Sequence, residues 1–144
     1  ISHVLPIHEK ANAQSLEIEA GQLGGELLVQ TLEHYVNENL VPKAQDDNAA
    51  TYTKYILKDQ GEIHDIFSPD TNSKFIISNN KRKEIAVKWK ALYGWPGIYF
   101  NYDHGNRNIR VKISKIDNFT GDIQYVIPEG KSEMSFESFQ NGYK

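Results

Sequence analysis

The sequence predicts an α+β fold with its helix and strand patterns separated along the chain. Three observations predict it. In the first third, Leu16, Ala20, Leu23, Leu27, Leu28, Leu32 and Tyr35 recur near the helical period. In the last third, Ile98 to Tyr102, Asn108 to Ser114 and Asp122 to Ile127 read as strands. Between them, Lys88 to Phe100 holds both tryptophans, where a helix pattern gives way to a strand pattern.

In order, Ser2 to Ile7 is a short apolar run carrying Pro6, hence an edge strand or an extended lead-in. Asn12 is a good N-cap for the long helix that follows, and Glu17 and Glu19 fall in its first turns. Gly24-Gly25 costs about 1 kcal/mol of helix propensity per glycine, which points to another element packing closely there. The helix should fade over residues 37–39. Leu40 to Ala50 reads as a linker, with Pro42, Gln45, Asp46, Asp47 and Asn48 supplying turn chemistry.

Thr51 to Leu57 is β-rich and ends in an Asp59-Gln60-Gly61 turn. Glu62 to Phe67 has apolar spacing, broken at Ser68-Pro69-Asp70, and Lys74 to Ser78 is a short strand or the docked part of a loop. Asn80 caps a predicted helix from Lys81 to Tyr93, whose inner face is Ile85, Trp89 and Leu92. Gly94 and Gly97 flank Trp95-Pro96, so the chain must turn there. The two tryptophans beside that turn are expected in the core, locking helix to sheet. Asp103 to Asn106 is a hairpin turn; beyond it Ile109, Val111 and Ile113 point one way and Arg110 and Lys112 the other. Met134, Phe136 and Phe139 in the tail are available to pack back.

With 144 residues the chain is about one domain long and has no apolar run near the roughly 20 residues that span a bilayer. The absence of cysteine excludes disulfides, thiolate catalysis and cysteine-ligated zinc, and is compatible with a reducing compartment. Residue 1 is Ile, with no signal-peptide pattern after it, so a piece of a longer chain is the simplest reading. The net charge of −3 conceals an asymmetry. Residues 1–49 hold two lysines and eight acids; the remainder holds fourteen basic and eleven acidic residues. The second part either faces a polyanion or is an ordinary solvated surface.

The five histidines show no metal-ligand spacing, and Asp46-Asp47 lies in a linker unsuited to the held geometry of acid–base catalysis. The stronger signal is basic and aromatic. If the hairpin register pairs them, Tyr99 and Asn101 share an outer face with Arg110 and Lys112, and Lys81, Arg82, Lys83, Lys88 and Lys90 supply a basic helix beside it. Such interleaving suits single-stranded or looped nucleic acid, whose bases stack and whose phosphates pair; an ordinary polar sheet face is the alternative.

Four motifs in order resemble the methionyl-tRNA formyltransferase family over nearly the whole chain. They are Leu5-Pro6-Ile7 with Leu23-Gly24-Gly25-Glu26-Leu27-Leu28; Pro42, Gln45-Asp46 and Ala50-Thr51-Tyr52 with Lys58-Asp59 and Gly61; Lys90-Ala91-Leu92 with Trp95-Pro96-Gly97 and Phe100; and Ile127-Pro128-Glu129-Gly130-Lys131 with Met134-Ser135, Phe139 and Gly142. The resemblance implies that 1–40 is an isolated strand and long helix from the end of a Rossmann-like formyltransferase domain. It implies that 41–67 is an interdomain linker and 68–144 a small, shortened OB-like β-barrel with one packed helix.

It also implies a parent enzyme that formylates the amino group of initiator methionyl-tRNA from 10-formyltetrahydrofolate, in translation initiation. That enzyme would work in a bacterial cytoplasm, or in a mitochondrial matrix or plastid. The family's catalytic residues and folate loop lie upstream of Ile1, so this chain carries neither catalytic nor cofactor-binding residues and should be inactive alone. The expected tRNA-contacting residues are Lys54, Lys58, Lys81, Arg82, Lys83, Lys88, Lys90, Tyr99, Arg110, Lys112 and Lys131. The expected partners are initiator tRNA, the catalytic domain and, through Leu16, Leu23, Leu27 and Leu32, a second copy of the fragment.

The chain departs from the family pattern in four places. Tyr55 stands where a linker lysine is usual, Ile63-His64-Asp65 replaces Ile-Asp-Trp, about a dozen extra residues precede the Trp-Pro-Gly turn, and the barrel has few strands. Two other readings compete: a related sugar-nucleotide or folate formyltransferase fragment, and a non-catalytic RNA- or protein-binding module derived from this family.

Overall fold

The structure, a computed structural model, describes residues 2–37, 40–68 and 75–143. It is α+β, with three α-helices and a four-stranded antiparallel sheet among the described residues, and it divides into two compact units, Ile1–Tyr55 and Ile56–Lys144.

In the first unit the predicted helix forms as α1, Ala13–Val36, started by Asn12, whose side chain accepts the Ser15 N–H at 2.9 Å while the Ser15 hydroxyl accepts the Asn12 N–H at 3.0 Å. This reciprocal bonding satisfies two of the amide donors that a helix start leaves open. The first turn itself holds no acid, since Glu17 and Glu19 lie beyond it. No atom outside the helix lies within 4 Å of a Cβ placed on Gly24 or Gly25, so the close packing expected there is absent among the described residues. Ile18, Leu28, Val29 and Leu32 are all exposed. The expected fade of the helix falls partly on residues 38 and 39, outside the described residues.

Of the two alternatives for residues 2–7 the extended lead-in holds, and the β-rich composition of 51–57 does not make a strand. A strand needs a neighbouring strand to take its N–H and C=O groups in a ladder, and neither segment pairs with one among the described residues. Asp47–Ala49 forms a short 3-10 turn, capped by the Asp46 carboxylate on the Asn48 N–H.

The second unit holds the core. Its sheet is a meander of β1 (Ile98–His104), β2 (Arg107–Ile116), β3 (Ile123–Pro128) and β4 (Met134–Ser135), hydrogen-bonded in that order. The sheet is not closed. Val111, Ile113, Ile98, Phe100 and Val126 point to the inner face and are essentially inaccessible to solvent. Helix α2 (Asn79–Ala91) begins one residue before the predicted cap, with Ser78 accepting the Lys81 N–H, and seals that face with Ile85 and the following Leu92. The tail forms α3 (Phe136–Gly142), which the sequence pattern left unassigned, and Phe139 is fully buried against Phe75, Phe100 and Tyr102.

Residues 62–67 dock without becoming a strand of the sheet. Ile63 and Ile66 are buried, and the Ile63 N–H donates to the Tyr99 carbonyl at 2.7 Å. Of the Lys74–Ser78 alternatives, 75–78 is docked loop rather than strand, with Ile77 buried; Lys74 lies outside the described residues, as do Pro69 and Asp70. Beyond β2, the Asp117 carboxylate accepts the N–H groups of Phe119 and Thr120, each at 2.9 Å. Those N–H groups, Thr120's foremost, hold its pKa below the usual carboxylate value.

Candidate nucleic-acid interface

The conditional register reading is met: Tyr99 pairs with Lys112 and Asn101 with Arg110, which places all four on the outer face of the β1–β2 hairpin. Three open clefts meet there. The largest, about 540 Å³, runs between Arg110, Lys112 and the turn Glu129-Gly130-Lys131, with Asn101 and Asn108 on its wall. A second, about 190 Å³, lies between Lys58, Trp95, Tyr99, Arg110 and Lys112. A third, about 230 Å³, runs from the end of α2 to β2. Lys112 lines all three and Arg110 the first two.

Two chain segments distant in sequence build this face. The 3-10 turn Lys58–Gly61 approaches the Trp95-Pro96-Gly97 turn so closely that a Cβ on Gly61 would overlap the Gly97 carbonyl oxygen. Glycine at 61 therefore brings Lys58 beside Trp95. At the turn, Gly94 and Gly97 adopt φ of 86° and 75°, which side-chain-bearing residues rarely take. The consequence is a correction for Trp95: at 59% exposure it is a surface ring at the cleft. Trp89 is packed against the core, as expected.

Electrostatics fix the face further. The Arg110 guanidinium lies 4.2 Å from the Tyr99 ring centroid, a cation–π contact that holds the side chain across the sheet. Tyr99 is itself mostly buried; its hydroxyl donates to Glu62 Oε2 at 3.4 Å, and Asn101 Nδ2 donates to Glu62 Oε1 at 2.7 Å. Burial, and secondarily Glu62, raises the Tyr99 phenol, so it remains a neutral donor. One carboxylate, Glu129, lines the largest cleft, with Oε2 3.4 Å from the Arg110 backbone N–H.

The structure sorts the eleven basic and aromatic candidates. Lys58, Tyr99, Arg110, Lys112 and Lys131 lie on the cleft system. Lys54 is exposed in the first unit. Three α2 residues are engaged within the fold. Lys81 Nζ donates to the His64 carbonyl at 2.8 Å and to Glu84 at 2.7 Å. Lys88 Nζ donates to the Glu62 carbonyl at 2.8 Å and pairs with Glu84 at 3.5 Å, while Arg82 Nε sits 3.2 Å from Asp122. Lys83 is exposed and Lys90 half-buried. The basic helix is thus partly a set of tethers holding α2 to the 62–65 segment and to Asp122. The sequence reading missed Trp95, Asn108 and Glu129 as cleft residues; the two glycines flanking Trp95 were the available signal.

Among the described residues no group of His, Asp and Glu is placed to hold a metal ion, and no helix is long and apolar enough to cross a membrane.

Comparison with known proteins agrees with the motif resemblance. The chain is 26% identical over 157 residues to the methionyl-tRNA formyltransferase of Rickettsia bellii, covering 94% of this chain and 46% of that protein. It is 27% identical over 141 residues to that of Caldanaerobacter subterraneus, covering 97% and 41% respectively. To that of Campylobacter curvus it is 30% identical over 121 residues, covering 84% and 34%. The chain therefore spans less than half the length of these curated relatives, and the part matched is their C-terminal part. No protein-family model matches the chain.

Proposed function

We propose that this chain is the tRNA-gripping C-terminal part of a methionyl-tRNA formyltransferase. The parent enzyme transfers a formyl group from 10-formyltetrahydrofolate to the amino group of initiator methionyl-tRNA. In this reading residues 1–40 end the Rossmann-like catalytic domain, 41–67 link the domains, and the meander with α2 and α3 is a shortened, OB-like tRNA-binding domain. The catalytic residues lie upstream, and the fragment alone is inactive.

The observation that carries the proposal is the convergence of Lys58, Arg110, Lys112 and Lys131 on two adjoining clefts, with Trp95 beside the first three, in a chain similar to enzymes named for a tRNA substrate. Lysine and arginine neutralise phosphates and release counterions, while an exposed indole offers a platform for an unpaired base. Four phosphate contacts give a log–log salt slope of about −3 to −4, and so about a hundredfold loss of affinity between roughly 50 and 200 mM salt. Filter binding of initiator tRNA at these two concentrations tests this; no binding at the lower one refutes the grip.

The exposed apolar residues of α1 support a further part of the reading, that this helix is covered by the catalytic domain in the parent and by a second copy in the fragment. Light scattering of the fragment at high concentration should show association; a clean monomer counts against it.

A further inference from the structure

We propose that the cleft running from the end of α2 to β2 receives a single unpaired base of the bound RNA, a proposal that rests on the tRNA reading above and adds a site to it. The cleft has the size and lining for a base. It measures about 230 Å³, and a closed apolar cavity of about 150 Å³ already takes benzene. There is room for one heterocycle. Trp89 and Tyr93 meet edge to face, with centroids 5.6 Å apart and planes at 78°, so two aromatic rings form a corner of the cleft lining.

Gly94 and Gly97 form another part of the wall. A Cβ at Gly94 would meet nothing within 4 Å, and one at Gly97 would meet the Lys112 Cε at 3.5 Å; with glycine at both, the lumen stays open.

Two observations point to an occupant. Ser114, on the β2 wall, has a buried Oγ with no hydrogen-bond partner, and unmade buried bonds are disfavoured; a turn of its side chain about χ1 would bring the hydroxyl to the polar edge of a base in the cleft and complete a bond. Among the described residues Lys112 is the one charged residue lining this cleft, and it also lines the two basic clefts. A phosphate on Lys112 therefore has its own nucleotide within reach of the cleft. Extruding a base from a duplex costs free energy that an already unpaired one does not, so the fitting occupant is a loop or terminal nucleotide.

The test uses single-stranded RNA of about eight nucleotides and a blunt duplex of the same sequence. The protein carries Trp95→Phe, which leaves Trp89 as its one tryptophan and keeps an aromatic ring at the turn. The single strand should quench Trp89 fluorescence and the duplex should not. Tyr93→Ala, and separately the cleft-filling Ser114→Leu, should weaken single-strand binding by about five- to a hundredfold while leaving duplex affinity within about twofold. If the single strand binds with the expected salt slope but neither quenches Trp89 nor responds to either variant, the base site is refuted while the basic face stands. If neither RNA binds at low salt, both fall together.

Discussion

Replacing Gly61 by alanine tests the joint that assembles the candidate face. Gly61 is buried and has an ordinary backbone conformation, so alanine there meets no dihedral penalty and its cost is steric. The added Cβ would fall well inside 3.0 Å of the Gly97 carbonyl oxygen, 3.4 Å from the Gly97 carbonyl carbon and 3.6 Å from Pro96 Cγ. The obstacle is backbone, which cannot swing aside as a side chain does, so the 58–61 turn and the Trp-Pro-Gly turn must separate. Overpacking of this kind costs about 1–3 kcal/mol, and the upper end applies to a backbone clash. Separation also strains the bond from the Ile63 N–H to the Tyr99 carbonyl, worth about 1 kcal/mol. Alanine's smaller denatured-state entropy returns about 0.4–1 kcal/mol.

The net loss for Gly61→Ala is about 3 kcal/mol. At about 4–8 °C per kcal/mol for a unit of this size, the melting temperature should drop by about 12 °C or more. The control is Gly142→Ala, where a Cβ meets nothing within 4 Å at the end of α3; it should be neutral or stabilising by up to about 1 kcal/mol. Urea unfolding of both variants decides the matter. A Gly61→Ala protein within about 0.5 kcal/mol of the parent would refute the close approach of the two turns.

Three further outcomes are expected. Gly121→Ala should prevent stable folding of the second unit, because Gly121 has φ of 75° and its Cβ would overlap the Arg82 carbonyl; circular dichroism and proteolysis check this. Glu84→Gln should cost about 0.2–1 kcal/mol at neutral pH, as expected for a partly exposed pair. The hydrogen bond from Lys81 leads the causes that hold the Glu84 pKa below its usual value. Its contribution is therefore complete above the unfolded-state pKa, about 4.3, and is lost as pH falls through the lower folded value, so parent and variant should converge in stronger acid in urea titrations at stepped pH. Trp95→Ala should leave the melting temperature within about 2 °C, since the ring is mostly solvated, yet weaken single-stranded RNA binding by about fivefold or more in fluorescence anisotropy.

The parts legible in the sequence were those with a strong local period. Alternation in Ile109, Val111 and Ile113 located β2 and its buried face, and Asn12 with the leucine series located α1. Thr51 to Leu57 is β-rich yet forms no strand, because β-branched and aromatic residues describe a backbone preference, whereas a strand exists only where a neighbour supplies hydrogen bonds. α3 was missed because seven residues hold too few turns for a period; its start is set by Ser135, whose hydroxyl accepts the Ser138 N–H at 3.1 Å.

At the candidate site the pairing of Tyr99 with Lys112 and of Asn101 with Arg110 followed from counting alternation on both sides of the turn. Trp95 did not follow. A tryptophan's size argues for burial, and two positive-φ glycines around it lift the ring onto the turn instead. The tethering roles of Lys81 and Lys88 were invisible for a different reason: besides Glu84 on the same helix, their acceptors are the backbone carbonyls of His64 and Glu62, many residues earlier in the chain. A charge reversal at Lys88 would therefore remove a tether of the fold, and is a poor probe of RNA contact.

The salt dependence of tRNA binding tests the central claim most directly. Initiator tRNA affinity is measured across a salt series for the parent chain, for Arg110→Ala with Lys112→Ala, and for Lys83→Ala on the exposed side of α2. The account predicts that the sheet pair lowers the magnitude of the log–log slope by about two, with weakened affinity at every concentration, while Lys83→Ala leaves the slope unchanged. An unchanged slope in the sheet pair, with a shallower one in Lys83→Ala, would contradict it and move the grip from the sheet to the helix.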